Sequence, residues 1–238
     1  MSPHANLRLT AKLVALVTPF MAKNDIRYYL NAINVRPHKD GGAVIAATNG
    51  HIFGAVHDPA AVCEAEVILR VDSRMAQACL SGLANGREVV MIGERLAVVE
   101  NGATEVYIQA GRPDIEAQYP RYEKVIPKQD SLQAGLIGTY GAPLIALAER
   151  AATIAAKIGS SKLRGYSGLQ FFNVNGDPNA SSVFRLGAEP NFVGVMMPMR
   201  DDAPMSATPA WVASLQIADD LAAMTKTATA APAEAEAA

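Results

Sequence analysis

One order of secondary structure is predicted three times along the chain: a short strand, an amphipathic helix and three further strands. The copies begin roughly 60 to 70 residues apart, and each is one supersecondary unit. We call the copies unit 1 (residues 6–56), unit 2 (66–109) and unit 3 (136–197). A unit of this size cannot bury its apolar face alone, so the three units are expected to pack against one another.

Unit 1 has a predicted helix whose apolar face carries Leu13, Val14, Val17 and Met21. Its strands are predicted at residues 6–9, 28–35, 43–48 and 51–56. Gly41-Gly42 supplies the turn of a hairpin between two of them.

Unit 2 starts with a predicted strand at 66–70 and a helix at 72–84. Asp72 can cap the start of this helix and Asn85-Gly86 its end. Its buried stripe is formed by Met75, Cys79 and Leu83. Alternation of apolar residues predicts the remaining strands at residues 88–92, 95–100 and 104–109.

Unit 3 contains the clearest helix of the chain, residues 142–158, with Pro143 in the first turn and Gly159 just beyond the end. A strand near 136–139 precedes it. The strands after it are predicted near residues 169–172, 183–186 and 192–197.

These units predict an α+β fold, with helices on one face of antiparallel sheets and the other face left to solvent. Units 1 and 2 form a predicted domain at 1–130, and unit 3 forms half of a second domain at 131–202. The segment 203–238 is predicted to hold a short helix near 209–224 and a disordered Ala-rich tail.

The composition is that of a folded protein, because 50% of the 238 residues are hydrophobic and 18% are charged. The net charge of −2 means that contact with nucleic acid needs a local basic patch. Cys63 and Cys79 lack CxxC spacing, which favours free thiols in a reducing compartment. With neither a secretion signal nor an apolar stretch of about 18 residues, a cytoplasmic protein that does not span a membrane is expected.

The sequence does not favour an enzyme. Gly159-Ser160-Ser161-Lys162 looks like part of a phosphate-binding loop, but it follows a helix and lacks the second glycine. His51 could serve as a base beside Cys63, yet nothing places a third partner nearby. No metal and no cofactor are expected, because metal-ligand spacing is absent from His4, His38, His51 and His57.

Four motifs carry a resemblance to a known family. They are Asp25-Ile26-Arg27-Tyr28-Tyr29-Leu30-Asn31, Ala47-Thr48-Asn49-Gly50-His51, Tyr119-Pro120-Arg121-Tyr122-Glu123-Lys124-Val125-Ile126-Pro127-Lys128 and Val195-Met196-Met197-Pro198-Met199-Arg200. With these motifs, in this order, the chain resembles the bacterial DNA polymerase III beta subunit, the sliding clamp. Units 1 and 2 are similar to the middle domain of that family, and unit 3 to the second half of its last domain. The resemblance implies the DNA clamp fold.

The resemblance also implies a groove that receives short peptides from DNA polymerases, the clamp loader and repair proteins. Thioether and aliphatic side chains suit such a groove, because they repack at low cost around different apolar anchors. Gly50 lets a peptide backbone approach, and His51 or Arg200 can orient its polar part. Taken alone, residues 196–200 would be interpreted as a core strand. The implied lining is Leu30, Thr48, Gly50, His51, Phe53, Pro120, Lys124, Val125, Val195, Met197, Pro198 and Met199.

Contact with double-stranded DNA, without sequence specificity, is implied at Asn24, Tyr28 and Tyr29. Tyrosines can reach sugar and phosphate without reading bases, which suits a protein that moves along any sequence. The alternative is that one of the two tyrosines packs into the core, because neighbours in a strand face opposite ways. The helix faces and their flanks carry basic side chains that either meet DNA or are ordinary solvated residues, namely Lys12, Lys23, Arg74, Arg150, Lys157, Lys162 and Arg164.

The chain also departs from the family pattern. Asn49-Gly50-His51-Ile52-Phe53 stands where the family has Asp-Gly-His-Arg-Leu, so the preferred peptide is expected to differ. Family members have six such units and this chain has three. Four chains would close a ring of twelve units, so a homo-oligomer is expected. Gln216-Ile217-Ala218-Asp219-Asp220-Leu221 weakly resembles a clamp-binding peptide, the alternative being a plain amphipathic helix.

The sequence thus predicts a non-catalytic DNA polymerase processivity factor that tethers replication proteins to DNA through an apolar groove. The alternative is a clamp-like decoy or scaffold that binds clamp-interacting peptides, or the resident clamp, without encircling DNA. A structural repeat protein with unrelated partners is the third interpretation.

Overall fold

Two antiparallel sheets and three α-helices form the part of the chain that the structure describes. The computed structural model describes residues 6–81, 86–159, 165 and 167–200, which lie within one compact unit, Met1–Arg200. The mixed α+β class is confirmed. The helix and tail predicted within 203–238 lie outside the described residues, as do Leu83, Asn85, Lys162 and Arg164.

Each unit shows the predicted order of elements. Unit 1 contains β1 (Arg8–Thr10), α1 (Ala11–Val17), β2 (Ile33–Pro37), β3 (Ala43–Thr48) and β4 (Ile52–Asp58). Unit 2 contains β5 (Val67–Leu69), α2 (Ser73–Leu80), β6 (Glu88–Ile92), β7 (Arg95–Glu100) and β8 (Thr104–Ile108). Unit 3, with its first strand earlier than predicted so that the unit starts at residue 132, contains β9 (Leu132–Ala134), α3 (Ala142–Ile158), β10 (Leu169–Val174), β11 (Ser182–Leu186) and β12 (Glu189–Met196).

The strands form a small sheet and a large sheet. The small sheet has the order β1-β6-β7-β8, and the large sheet has the order β5-β2-β3-β4-β12-β11-β10-β9. Units 1 and 2 therefore exchange their first strands, because β1 pairs with β6 and β5 pairs with β2. The last strands of units 1 and 3, β4 and β12, pair antiparallel and make the large sheet continuous.

The start of α2 and both ends of α3 follow the sequence signals, whereas α2 ends at Leu80 and not at residue 84 as predicted. Asp72 caps α2, since its Oδ1 accepts the Met75 N–H at 2.7 Å. In α3, Pro143 occupies the first turn. The Gly159 N–H then closes the helix on the Ala155 carbonyl at 2.8 Å. The predicted bounds of α3 are confirmed.

The main core lies where the three helices pack against one face of the sheets. An aromatic cluster of Phe20, Phe184 and Phe192, with ring centroids 5.7 to 6.0 Å apart, joins unit 1 to unit 3. The rings lie over Gly54 and Gly194, which are opposite each other in the β4–β12 pair. A methyl group at Gly54 would clash with Phe20, and one at Gly194 would clash with Phe184. Both glycines are therefore required by close packing.

The strand predicted at 28–35 is wrong in its first half. Tyr28–Asn31 is a 3₁₀ helix, and β2 starts at Ile33. The Asn31 side chain favours this change, because its amide donates to the Asp25 carbonyl at 2.9 Å and accepts the Asp25 N–H at 3.0 Å. Such local hydrogen bonds compete with a sheet ladder.

The strand predicted at 136–139 is also wrong. The strand that pairs with β10 is β9, Leu132–Ala134, and Thr139 lies outside the named strands in an isolated bridge with Met199. Gly135 and Gly138 have positive φ values of 120° and 89°, which interrupt an extended segment.

The outer face of the large sheet is not left to solvent as predicted. Tyr119 and Tyr122, from the segment between units 2 and 3, pack there against Phe53, Val183 and Val195 and form a second core. Among the described residues no helix is long and apolar enough to cross a membrane.

Candidate functional site

The turn between β3 and β4 is held by its own side chains. Thr48 Oγ1 donates to the Ile52 carbonyl at 2.8 Å and accepts the Gly50 N–H at 3.1 Å. Asn49 Oδ1 accepts the N–H groups of His51 and Ile52 at 2.9 and 3.1 Å. Gly50 has φ of +90°, a backbone conformation that a residue with a side chain rarely adopts.

The segment between units 2 and 3 is tied to this turn. The Tyr119 hydroxyl accepts the Thr48 N–H at 3.2 Å. The ring of Tyr122 stacks on Phe53, with centroids 4.9 Å apart, and the Arg36 guanidinium lies 5.2 Å from the centre of the same ring. Burial raises the pKa of Tyr122 to about 12, so its hydroxyl stays neutral at physiological pH.

The 3₁₀ helix brings Leu30 to the same place, where it is buried. Arg27, at its start, forms a two-point ion pair with Asp25, with contacts of 3.0 Å from Nε and 2.8 Å from Nη2. The hydrogen bonds from the Arg27 side chain and backbone N–H lower the pKa of Asp25 to about 2. The guanidinium lies over Gly50, where an added Cβ would be 3.2 Å from Arg27 Nη2.

The end of β12 supplies the remaining wall. The Met197 N–H donates to the His51 carbonyl at 2.9 Å, which fixes the two chain segments side by side. The Met197 side chain is 43% exposed. Met199 is 53% exposed, and its N–H donates to the Thr139 carbonyl at 2.7 Å. An added Cβ at Gly141, the residue before α3, would be 3.8 Å from Met199 Sδ.

Together these segments line an open groove with a volume of about 220 Å³. We call it the inter-unit groove, since its walls come from units 1 and 3 and from the segment before unit 3. Among the described residues that line it, most are apolar or aromatic and none is acidic. The lining residues are Arg27, Tyr29, Leu30, Thr48, Gly50, His51, Ile52, Phe53, Pro120, Arg121, Tyr122, Val125, Val195 and Met197.

Most of the residues predicted for a groove converge here. Lys124, Pro198 and Met199 do not line the cavity. Lys124 ends a short 3₁₀ turn, Tyr122–Lys124, and Met199 continues the same chain segment toward Gly141. Met199 therefore lies beside the end of the groove and not around its floor.

Sequence reasoning missed Arg27, Ile52, Arg121 and Tyr122, and assigned Tyr29 to DNA. Arg27 had a usable signal, because it belongs to the same sequence motif as Leu30. Tyr122 belongs to the same quoted motif as Pro120 and Val125. Nothing in the sequence indicated that its ring would cover Phe53.

Two of the residues predicted to contact DNA, Tyr28 and Tyr29, lie in the 3₁₀ helix with ring centroids 5.9 Å apart. Asn24 has positive φ (56°) in the loop before it. Tyr28 is 53% exposed, whereas Tyr29 is half-buried and packs against the second core. Arg74, Arg150 and Lys157 are exposed on α2 and α3. Lys12 on α1 reaches the Ile158 carbonyl at 3.4 Å.

Cys63 and Cys79 are free thiols. Burial raises the pKa of the Cys79 thiol to about 12 and also raises that of Cys63. Among the described residues, no three or more His, Cys, Asp or Glu side chains are grouped so that they could hold a metal ion.

Neither a family model nor a curated protein matches the sequence. Solved structures do match the fold. The DNA polymerase sliding clamp of Pseudomonas aeruginosa, solved with a ligand, has a TM-score of 0.57 and 15% identity, over 84% of this chain and 68% of that one.

Two further clamps give the same result. The beta sliding clamp of C. crescentus has a TM-score of 0.53 and 18% identity, over 83% of this chain and 66% of that one. DNA polymerase III subunit beta of Borrelia burgdorferi has a TM-score of 0.54 and 13% identity, over 84% and 65%. The chain therefore has the fold of the beta sliding clamp and spans about two thirds of the length of these proteins.

Proposed function

We propose that this protein is a clamp-like processivity factor, which tethers DNA polymerase and other replication proteins to DNA through the inter-unit groove. The observation that carries the proposal is the convergence of three distant segments, around Leu30, His51 and Val195, on one apolar cavity. The clamp fold supports it. The role is that of a non-catalytic accessory subunit.

The chemistry of the inter-unit groove suits an apolar peptide anchor. Its floor is formed by buried Leu30, Phe53 and Val195, while Met197 and Val125 remain 43% and 41% exposed at its rim. An anchor that covers these two side chains removes apolar surface from water. Each Å² of apolar surface buried in this way contributes about 25 cal/mol to the favourable free energy of binding. The thioether of Met197 can adjust to anchors of different shape.

Tethering raises the local concentration of a bound polymerase at the DNA, so modest peptide affinity is sufficient. The exposed basic residues of α2 and α3 would hold DNA through its phosphates, which permits movement along any sequence. Asn24 and Tyr28 belong to the proposed DNA surface. Tyr29 is proposed to serve the inter-unit groove instead, because it lines the cavity.

The proposed domains are 1–130 and 131–202, with unit 3 as an isolated half domain. A half domain needs a second surface to complete it, which supports a homo-oligomer. We propose a cytoplasmic location, because the DNA and the replication proteins that this protein would bind are found there.

The test of the groove is peptide binding. A labelled peptide from the clamp-binding tail of a bacterial DNA polymerase is titrated with the wild-type chain and with the Met197→Ala, Met199→Ala double variant. We expect affinity to fall at least about tenfold, or about 1.4 kcal/mol, because the thioether that lines the groove, Met197, and the one beside its end, Met199, are both removed. The matched control is Ile92→Ala with Val106→Ala, which removes two exposed apolar side chains from the small sheet. Equal affinity of the groove variant and the control would refute the assignment.

The test of encirclement is retention on DNA. The protein is loaded on nicked circular DNA, washed at high salt, and released by linearisation. Retention that linearisation abolishes indicates a closed ring. Peptide binding without such retention would contradict encirclement and favour a decoy or scaffold.

A further inference from the structure

Arg121 lines two cavities. Among the described residues it is the one shared by the inter-unit groove and a second, smaller cavity of about 160 Å³, which we call the polar recess. The other residues of the polar recess are Arg36, Glu66, Gln118, Tyr119 and Glu123. Arg121 therefore lies at the boundary between an apolar and a polar surface.

The inter-unit groove carries positive charge that the protein does not balance. Two arginines, Arg27 and Arg121, and no acidic residue line it within the part of the chain that the structure describes. Asp25 balances Arg27 from outside the groove through the two-point ion pair of 3.0 and 2.8 Å. The Arg121 side chain, in contrast, forms neither a hydrogen bond nor an ion pair with any described residue.

The acidic residues that share the polar recess with Arg121 are held by another residue. Arg36 donates to Glu66 from Nη2 at 3.0 Å and to Glu123 from Nη1 at 3.4 Å. The Tyr122 ring lies 5.2 Å below the Arg36 guanidinium and supports it. The charge of Arg121 acts on Glu66 without an ion pair between them. The guanidinium of Arg121 therefore keeps its N–H donors for a ligand.

The backbone that carries Arg121 is fixed. Arg121 starts the 3₁₀ turn Tyr122–Lys124, and its carbonyl accepts the Lys124 N–H at 3.2 Å. The residue after it, Tyr122, is buried against Phe53, and Tyr119 before it is also buried. A charge on a fixed backbone loses less conformational freedom when a ligand binds.

We infer that Arg121 determines specificity, and that the inter-unit groove binds peptides with an Asp or Glu within about two residues of the apolar anchor. The carboxylate of this residue accepts hydrogen bonds from the Arg121 guanidinium, whose planar fork matches a carboxylate. Two residues of extended peptide span about 7 Å, so the anchor and the carboxylate reach one cavity and its margin together. The inference rests on the proposed function, because it specifies the chemistry of the peptide that the groove binds.

The first experiment compares matched peptides. The labelled polymerase-tail peptide of the groove test is synthesised in pairs, with Asp or Asn at each of the two positions on either side of its apolar anchor. At one of these positions we expect the Asp peptide to bind the wild-type chain about three to five times more tightly than the Asn peptide, as for a partly exposed ion pair. This ratio should fall toward one at high salt, which screens the charges.

The same peptide pairs are then titrated with variants of the chain. Arg121→Gln is expected to bring the ratio of Asp to Asn affinity to about one. The matched control is Lys128→Gln, which removes one positive charge at an exposed residue that does not line the groove, and it should keep the wild-type ratio. Each ratio compares two peptides on one protein sample, so any loss of folded protein in a variant cancels.

The second experiment reverses the charges. Arg121→Glu is expected to prefer a peptide with Lys at the selected position over the Asp peptide, by a factor similar to the wild-type preference. If Arg121 only supported the local structure, Arg121→Glu would weaken all peptides alike and no reversal would occur.

The outcomes separate this inference from the proposed function. Asp to Asn ratios that are equal in wild type and Arg121→Gln would overturn the inference. If the Met197→Ala, Met199→Ala double variant still weakened every peptide in that case, the groove assignment would stand. Absence of binding by every peptide pair would overturn both.

Discussion

At the scale of single residues, Gly50 does two things at the inter-unit groove. Its φ of +90° closes the turn between β3 and β4, and its lack of a side chain lets the Arg27 guanidinium lie over it. Gly41 has nearly the same φ, +92°, with no atom near an added Cβ. A comparison of substitutions at Gly50 and Gly41 therefore separates the effect of backbone strain from the effect of the contact with Arg27.

We expect Gly50→Ala and Gly41→Ala each to lower the free energy of unfolding by about 1 kcal/mol, because both place a side chain in the left-handed region. Only Gly50→Ala should also weaken peptide binding, since it displaces Arg27 at the groove. Urea unfolding and peptide titration check the two effects. Equal peptide affinity in the two variants would show that Arg27 is not part of the binding surface.

Asp25 gives a pH prediction at the same scale. Its pKa is lowered to about 2 by the Arg27 hydrogen bonds, so the ion pair stabilises the folded loop above the ordinary carboxyl pKa of 3.8. This contribution is lost as pH falls through about 2. NMR of the side-chain carboxyl should show a titration midpoint near 2, and in Arg27→Leu a midpoint raised toward 3.8, with the backbone N–H of residue 27 still donating to the carboxylate. A midpoint unchanged by Arg27→Leu would contradict the ion pair.

At the scale of elements, the junction between β4 and β12 depends on two glycines under aromatic rings. We expect Gly194→Ala to destabilise the protein by about 1–3 kcal/mol through overpacking against Phe184. Phe184→Leu makes room for the added methyl group. The double variant should therefore lose less free energy of unfolding than the sum of the losses in the two single variants. Strictly additive unfolding free energies would show that the clash with Phe184 is not the cause.

Elements with a strong local signal were predictable, and those set by distant contacts were not. The period of α3 and its Pro143 and Gly159 boundaries gave its bounds, and alternation gave β6 and β7. The strand predicted at 28–35 lost its first half to hydrogen bonds between the Asn31 side chain and the backbone of Asp25, which no periodicity reveals.

The inter-unit groove was also predictable only in part. The sequence motifs predicted that Leu30, Gly50 and Val195 meet at one site, because each motif supplies a wall of the cavity. The packing of Tyr122 on Phe53 was not predictable, since it depends on how the segment before unit 3 crosses the large sheet.

At the scale of the whole molecule, the exposed Arg and Lys side chains of α2 and α3 lead to a prediction about DNA binding. We expect Arg150→Glu with Lys157→Glu to weaken DNA binding and to reduce the slope of log affinity against log salt by about 0.9 for each phosphate that is no longer neutralised. The control is Lys39→Glu with Lys128→Glu, which changes net charge equally at exposed residues outside the helices. Equal salt slopes in the two variants would place the DNA elsewhere.

The pairing of β4 with β12 also sets the order in which the protein can be built. β4 belongs to the first third of the chain and β12 lies near residue 196, so their ladder closes a long loop, and such contacts form slowly. During synthesis, the edge of β4 that later pairs with β12 stays unpaired until unit 3 has left the ribosome. The inter-unit groove therefore lacks its Val195 and Met197 wall until this part of the chain has been made, and we expect chains that end before β12 to lack the proposed peptide site.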